Sequence, residues 1–302
     1  MVPRRQREFT VEANPLDIVG STSFGEGRLA EFAAAGATRI SLGVQSFQAP
    51  KLRLLERDHT PDEARRSVQS AHDAGFDASL DLIFGAPGET LAAWQTDLAE
   101  AVALRPAHVS LYGLTFERGT SFWTRRAKGE LRSQDEESER AMYLAAIEIL
   151  ATAGYEQYEI SNFARPGHRC RHNETYWSAR EYFAAGPGAA RYVDGMRSSN
   201  HRSTTTWLVR LQAGQSPVDE TERLGPEDRA REALVLGLRR VQDGVERRAF
   251  AAEFGYDVDE LGGDDLRKLL ATGLLENVET RLRLTREGLL LADYIWSKFL
   301  RC

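Results

Sequence analysis

Two cysteines, Cys170 and Cys302, stand in 302 residues. That scarcity excludes a disulfide framework and a zinc site built of cysteines alone. It also leaves the chain unable to hold an iron–sulfur cluster by itself, since such clusters rest mainly on several thiolates. Long apolar runs are missing too: no stretch reaches the ~18 residues that cross a bilayer. Residues 1–7 are basic, but no apolar segment follows, so they do not read as a secretory signal; the expected compartment is cytoplasmic. Basic excess is absent, with 39 Lys and Arg against 45 Asp and Glu and a formal net charge of −6. An acidic total argues against bulk nucleic-acid binding. No internal repeat or low-complexity tract is present. What remains is an ordinary globular composition, 42% apolar and 28% charged, sufficient for a packed core.

The first half alternates strand and helix signals. Residues 9–12, 39–44, 76–84 and 109–112 read as strands. Thr60, Pro61 and Glu63 open a helix with a capping box; Ala64, Val68 and Ala71 give it an apolar face, and Gly75 ends it. Leu91, Trp94, Leu98 and Ala101 mark a second helix. Ser133 and Glu136 suggest another capping box, with Met142, Ala146 and Ile149 as the stripe and Gly154 as the stop. Strands and helices at this spacing predict a parallel sheet with crossover helices, hence an α/β fold. Residues 155–160 read as a further strand and 167–195 as ordered loop. Composition turns polar over 214–226, so the expected domains are 1–215 and 216–302. In the second, helices near 226–238, 247–254 and 264–271 precede strands at 274–278 and 281–284. Thr285 would cap one last helix reaching Leu300. Helices followed by a two-stranded wing make a winged-helix-like α+β module. Its Arg281, Arg283 and Arg286 are offset by Glu276, Glu279 and Glu287, so packing rather than DNA reading is the expected role.

In a parallel barrel, function gathers at the C-terminal strand ends. Those ends carry Glu12, Gln45 and Asp81, with Arg57 a short way beyond Gln45. A glutamate near a strand end is more often simply solvated. Asp81 is harder to dismiss, because a carboxylate within an apolar run is costly without a donor. Gln45 and Arg57 could donate to a ligand carboxylate, Arg in bidentate fashion.

Several strings occur together in order: Val11-Glu12-Ala13-Asn14-Pro15, Leu42-Gly43-Val44-Gln45-Ser46-Phe47, Leu55-Glu56-Arg57-Asp58-His59, Asp81-Leu82-Ile83-Phe84-Gly85-Ala86-Pro87-Gly88-Glu89-Thr90, and Tyr112-Gly113-Leu114-Thr115. Through them the chain resembles the radical S-adenosylmethionine (SAM) family that includes oxygen-independent coproporphyrinogen III oxidases and haem chaperones. Tyr158-Glu159-Ile160-Ser161-Asn162-Phe163 and His172-Asn173-Glu174-Thr175-Tyr176-Trp177 are similar to the haem chaperone branch. The resemblance implies a (β/α) barrel of the radical SAM type with SAM across its mouth. Glu12 would face the SAM ammonium; Gln45, Arg57 and Asp81 would face its carboxylate and ribose hydroxyls. It further implies haem and haem-accepting apoproteins as partners, and a [4Fe–4S] cluster.

The chain also departs from that pattern. The family motif Cys-x3-Cys-x2-Cys and the glycine-rich segment after the next strand are not in it, so the expected barrel is partial. The expectation is therefore a chain that, as written, holds no cluster and performs no radical chemistry. Ala190 and Arg191 follow Gly186-Pro187-Gly188-Ala189 where the family usually has His and Ser. Of the six histidines, His59, His72 and His108 read as structural or surface groups. His172, beside Cys170 and aromatic residues, reads either as a hydrogen-bonded loop anchor or as a haem ligand, since imidazole and thiolate both ligate haem iron. Trp177, Tyr176 and Tyr182 suit either a core or the wall of an apolar plane. Two other readings stay open: a coproporphyrinogen oxidase in a fuller form, and a non-catalytic binding remnant.

Overall fold

The structure, a computed structural model, describes residues 7–20 and 28–300. These form two compact units, one ending at Arg169 and one beginning at Cys170. The compositional break at 215/216 falls within the second.

The first unit runs β1 (Thr10–Ala13), α1 (Pro15–Val19), α2 (Arg28–Ala35), β2 (Arg39–Gln45), α3 (Ala49–Leu54), α4 (Pro61–Asp73), β3 (Asp77–Phe84), α5 (Leu91–Ala103), β4 (His108–Gly113), α6 (Ser121–Ala127), α7 (Glu136–Thr152), β5 (Glu156–Gln157) and β6 (Asn162–Ala164). Its sheet has the order β1-β2-β3-β4-β6-β5. The first four strands are parallel, as the strand–helix alternation predicts.

Register explains the two faces of this sheet. Val11 pairs with Ile40, and Ala13 with Leu42. Leu42 pairs with Leu80, and Leu80 with Val109. These residues enter the core with Val68 and Ala71 of α4, Trp94 and Leu98 of α5, and Met142 and Ala146 of α7. The alternate residues Glu12, Ser41, Ser79, Asp81, His108 and Ser110 belong to the other face, because side chains of a strand alternate with period two.

Helix starts follow local chemistry. Thr60 Oγ1 accepts from Glu63 N at 3.3 Å, while Thr60 N donates to Glu63 Oε2 at 2.8 Å, which is the predicted capping box. Asn14 N donates to Asp17 Oδ2 at 3.0 Å, and Pro15 begins α1. At α7 the cap differs from expectation: Asp135, not Ser133, accepts from Ser138 N at 2.9 Å. Asp and Ser cap equally well, so two residues of slippage cost little. Residues 155–160 are not one strand either. β5 is short, and β6 returns antiparallel to both β5 and β4.

The second unit runs α8 (Arg171–Trp177), β7 (Ala190–Val193), β8 (Met196–Asn200), α9 (Thr204–Gln212), β9 (Val218–Arg223), α10 (Pro226–Leu238), β10 (Val245–Glu246), α11 (Arg247–Phe254), α12 (Val258–Ala271), β11 (Leu275–Val278), β12 (Arg281–Leu284), α13 (Arg286–Leu290) and α14 (Ala292–Phe299). The expected loop over 167–195 instead holds α8 and β7. Antiparallel β7-β8-β9 forms a sheet that the strand signals did not announce. Asp194 (φ 53°) and Gly195 (φ 69°) make the two-residue turn between β7 and β8, an Asp-Gly hairpin signal present in the sequence. The wing is β10-β12-β11, and α10 and α11 lie where expected. α12 starts earlier than predicted and breaks at Gly263, whose φ of 49° and ψ of −132° are non-helical. Thr285 caps α13, accepting from Gly288 N at 3.0 Å, but Leu291 then interrupts the last helix. The wing arginines are engaged locally: Arg281 Nη1 donates to Asp243 O at 2.8 Å, and Arg283 Nη1 to Gln242 O at 3.0 Å. No helix among the described residues is long and apolar enough to cross a membrane.

Leu80 is fully buried beneath the helices, whereas Leu211 on α9 is 44% exposed. Leu80→Ala is expected to lower the unfolding free energy by about 2–5 kcal/mol. Leu211→Ala should stay within about 0.5 kcal/mol of the wild type in the same urea titration.

Candidate functional site

A cavity of about 400 Å³ opens at the C-terminal ends of the parallel strands. Gln45, Arg57 and Asp81 line it, together with Leu55, Ile83, Tyr112 and Thr115. The structure therefore brings three of the four sequence-predicted polar residues into one wall. Glu12, the fourth, is exposed near the end of β1 and outside that lining. Its charge is nevertheless felt at Asp81.

Each polar group is placed by a local device. Asp81 belongs to the polar row of β3, between Ser41 on β2 and Ser110 on β4. Burial pushes its carboxyl up to about 6; the Ser110 and Ser41 hydroxyls oppose that rise by hydrogen bonding, and the Glu12 charge adds to it. Gln45 ends β2 at a register irregularity with φ of 64°, a left-handed conformation unusual for a side-chain-bearing residue. Its amide nitrogen folds back to 3.0 Å from where a Cβ on Gly43 would stand, so Gly43 makes room for it.

The string Leu55-Glu56-Arg57-Asp58-His59 is a hinge with separate tasks. Leu55 and Arg57 face the cavity. Glu56, at φ 55°, accepts from Ser121 Oγ at 2.9 Å and ties the turn to α6. His59 is buried, and its Nε2 lies 3.0 Å from Val44 O; burial lowers its pKa, which keeps the ring neutral. This is the structural histidine that the sequence suggested. His108 is another. It is buried, held neutral by desolvation, and hydrogen-bonded at 2.9 Å to both Ser79 Oγ and Tyr158 Oη. His72 Nε2 lies 3.2 Å from Leu104 O. Tyr158 and its neighbours thus serve the sheet edge: Glu159, fully buried, accepts from Ser161 N at 2.8 Å and from the Asn162 amide.

Sequence reasoning missed Ser41 and Ser110, although strand parity with Asp81 could have found them. It also missed Lys51, Glu89 and Asp97, three buried charged groups outside the cavity lining. No local signal marks those, since a lysine and two carboxylates on helices and turns read as solvated.

In the second unit His172 is exposed on α8. Its ring meets Tyr176 edge-on at 4.7 Å between centroids; Tyr176 lies 4.2 Å from Tyr182, and Tyr182 lies 6.3 Å from Tyr192. Cys170 is a half-buried thiol just before α8. Trp177 is covered by the Arg239 guanidinium at 4.3 Å. Among the described residues no three His, Cys, Asp or Glu side chains converge as a metal site. The chain's two cysteines, of which Cys302 lies outside the described residues, do not fit a cluster held by three thiolates.

A parallel α/β sheet with a polar cavity at its strand ends, followed by a winged-helix-like module, defines a protein of the radical SAM class. The Radical SAM superfamily profile matches residues 3–101, and the HemN C-terminal domain profile matches 224–291. The chain is 35% identical over 294 residues to "Heme chaperone HemW" of Bacillus subtilis, covering 97% of this chain and 76% of that protein. It is 36% identical over 289 residues to "Heme chaperone HemW" of Mycobacterium tuberculosis, covering 95% and 70%. The solved structure of coproporphyrinogen III oxidase (HemN) from Escherichia coli shares the fold, with a TM-score of 0.78 at 19% identity over 97% of this chain and 69% of that one. The chain belongs to the HemW family of radical SAM proteins.

Asp81 gives a test of the cavity's electrostatics. A carboxyl with a raised folded pKa binds more protons folded than unfolded, so its contribution to stability is present at low pH. It is lost as pH rises from the ordinary 3.8 through about 6. Asp81→Asn should remove this pH dependence and stabilise the protein at pH 7 by on the order of 2–3 kcal/mol. Urea titrations at pH 4 and pH 7 check it; an equal difference from wild type at both pH values would refute it.

Proposed function

We propose that this protein is a haem chaperone, binding haem through its second unit and delivering it to haem-accepting apoproteins. The observation that carries the reading is identity of about a third with named haem chaperones along nearly the whole chain. The His172 to Trp177 string adds a surface-exposed imidazole set against tyrosines. Imidazole is a common axial ligand of haem iron, and flanking aromatic rings suit a flat apolar macrocycle. In this reading His172 ligates the iron. The setting is cytoplasmic, where haem must be carried between soluble proteins.

The cavity of the first unit would hold SAM. Its donor set fits: Arg57 and the Gln45 amide for the ligand carboxylate, Asp81 for paired hydroxyls, and Glu12, outside the lining but close enough for its charge to act on Asp81, for the ammonium. SAM bound beside a cluster supplies radical chemistry in this class. The cavity residues of this chain would bind and orient SAM. Occupancy would be read as a folded-state ligand that stabilises the first unit.

Two titrations test these assignments. Haem added to the purified chain should give a Soret band whose position and midpoint change in His172→Ala, with at least tenfold weaker binding; identical spectra would remove His172 as the ligand. SAM binding followed by calorimetry should weaken about 10- to 100-fold in Arg57→Ala, the loss of charge-assisted hydrogen bonds worth ~1.5–3 kcal/mol. Arg57 is exposed, so the melting temperature without ligand should be unchanged.

A further inference from the structure

Three buried charges outside the cavity lining connect chain segments that adjoin it. Lys51 of α3 is 7% exposed. Its ammonium donates to Glu89 and, at 3.1 Å, to Asp97 Oδ2. The side chains of those acids are 2% and 0% exposed. Burial raises the Glu89 pKa, and the Lys51 charge works against that rise.

Each carboxylate also fixes backbone next to a cavity residue. Asp97 accepts from Ser46 Oγ at 2.7 Å and from Phe47 N at 2.8 Å, directly after Gln45. Glu89 accepts from Ala86 N at 3.0 Å, in the turn that follows the strand of Asp81. Lys51 itself lies between Gln45 and Arg57 in the chain, and Arg57 N donates to Leu52 O at 3.0 Å. The ammonium also sits 5.0 Å from the Trp94 ring centroid, whose indole N–H is fixed to Met142 O at 2.9 Å. None of the three charged groups lines the cavity.

We infer that Lys51 is a positioning residue: through Asp97 and Glu89 it fixes Gln45 and Arg57 relative to Asp81, and so sets the affinity of the cavity for a ligand that carries both a carboxylate and paired hydroxyls. This rests on the cavity reading given above. The physical basis is that a paired ammonium between two acids is strong only where all three are desolvated and hydrogen-bonded. Here the remaining lone pairs of the acids are used on backbone just after Gln45 and just after the strand of Asp81. The strained φ of Gln45 needs such support, since a left-handed residue persists only where its surroundings over-determine it.

Removing Lys51 alone would leave two buried carboxylates without a cation, so Lys51→Met is combined with Glu89→Gln, which keeps the net charge of the group. Amide hydrogen exchange in peptides spanning 46–48 and 85–89, thermal melting, and SAM calorimetry are read together. A folded double variant should exchange at least tenfold faster in both loops and bind SAM at least tenfold more weakly. Wild-type exchange and affinity in that variant would overturn the inference. Should the double variant not fold, Asp97→Asn breaks one arm while keeping the side chain's size. Faster exchange over 46–48 is then expected, and an unchanged rate would overturn the inference. If the wild type binds no SAM, the cavity reading fails by itself, and the exchange rates still decide whether Lys51 holds the loops.

Discussion

The first unit rests on one geometric constraint, the alternation of side chains across the parallel strands. Because β2, β3 and β4 are held in register, Leu42, Leu80 and Val109 reach the helices together while Ser41, Asp81 and Ser110 share the opposite face. A shift of one residue would bring the carboxylate under the helices and strip the core of its leucines. The same register that builds the core therefore assembles the polar row, and cavity and stability cannot be separated. Burial on that row raises the Asp81 pKa, and the neighbouring serines hold the carboxyl in place.

The ends of the strands need a different solution, because there the regular ladder stops. Gln45 leaves β2 in a left-handed conformation, Glu56 turns the chain towards α6, and His59 returns it to Val44. Of these, Gln45 faces the cavity, and Leu55 and Arg57 on either side of Glu56 join it in the lining. The backbone next to Gln45 is held by a buried charge group, Lys51 with Glu89 and Asp97. A rigid scaffold with its chemistry on tethered loops is the usual division of labour in α/β proteins. The second unit uses aromatic stacking instead, with His172 at the outer end of a line of tyrosines that joins α8 to the β7-β8 hairpin.

The fold class could be read directly from residue order, and so could the polar residues that the structure places around the cavity. Period-two and period-3.6 patterns gave the four parallel strands and the helices between them, since each rests on neighbours within a few residues. Asp81 stood out as a carboxylate in an apolar run, and the winged module was visible as helices followed by a hairpin. Short strands escaped: β5 and β6 are too brief to show a period, and the Asp194-Gly195 turn was legible but lay in a stretch read as loop.

What the sequence alone determined, then, is whatever nearest neighbours enforce: caps such as Thr60 with Glu63, the apolar stripes, and the family strings that mark a radical SAM protein of the HemW kind. Tertiary structure alone decided that Gln45, Arg57 and Asp81 share one cavity while Glu12 lies outside its lining. It alone also buried Lys51 between two acids far from it in the chain. The reason is physical. Local preferences depend on backbone sterics and spacing, whereas the burial of a charge depends on which distant segments the sheet brings together.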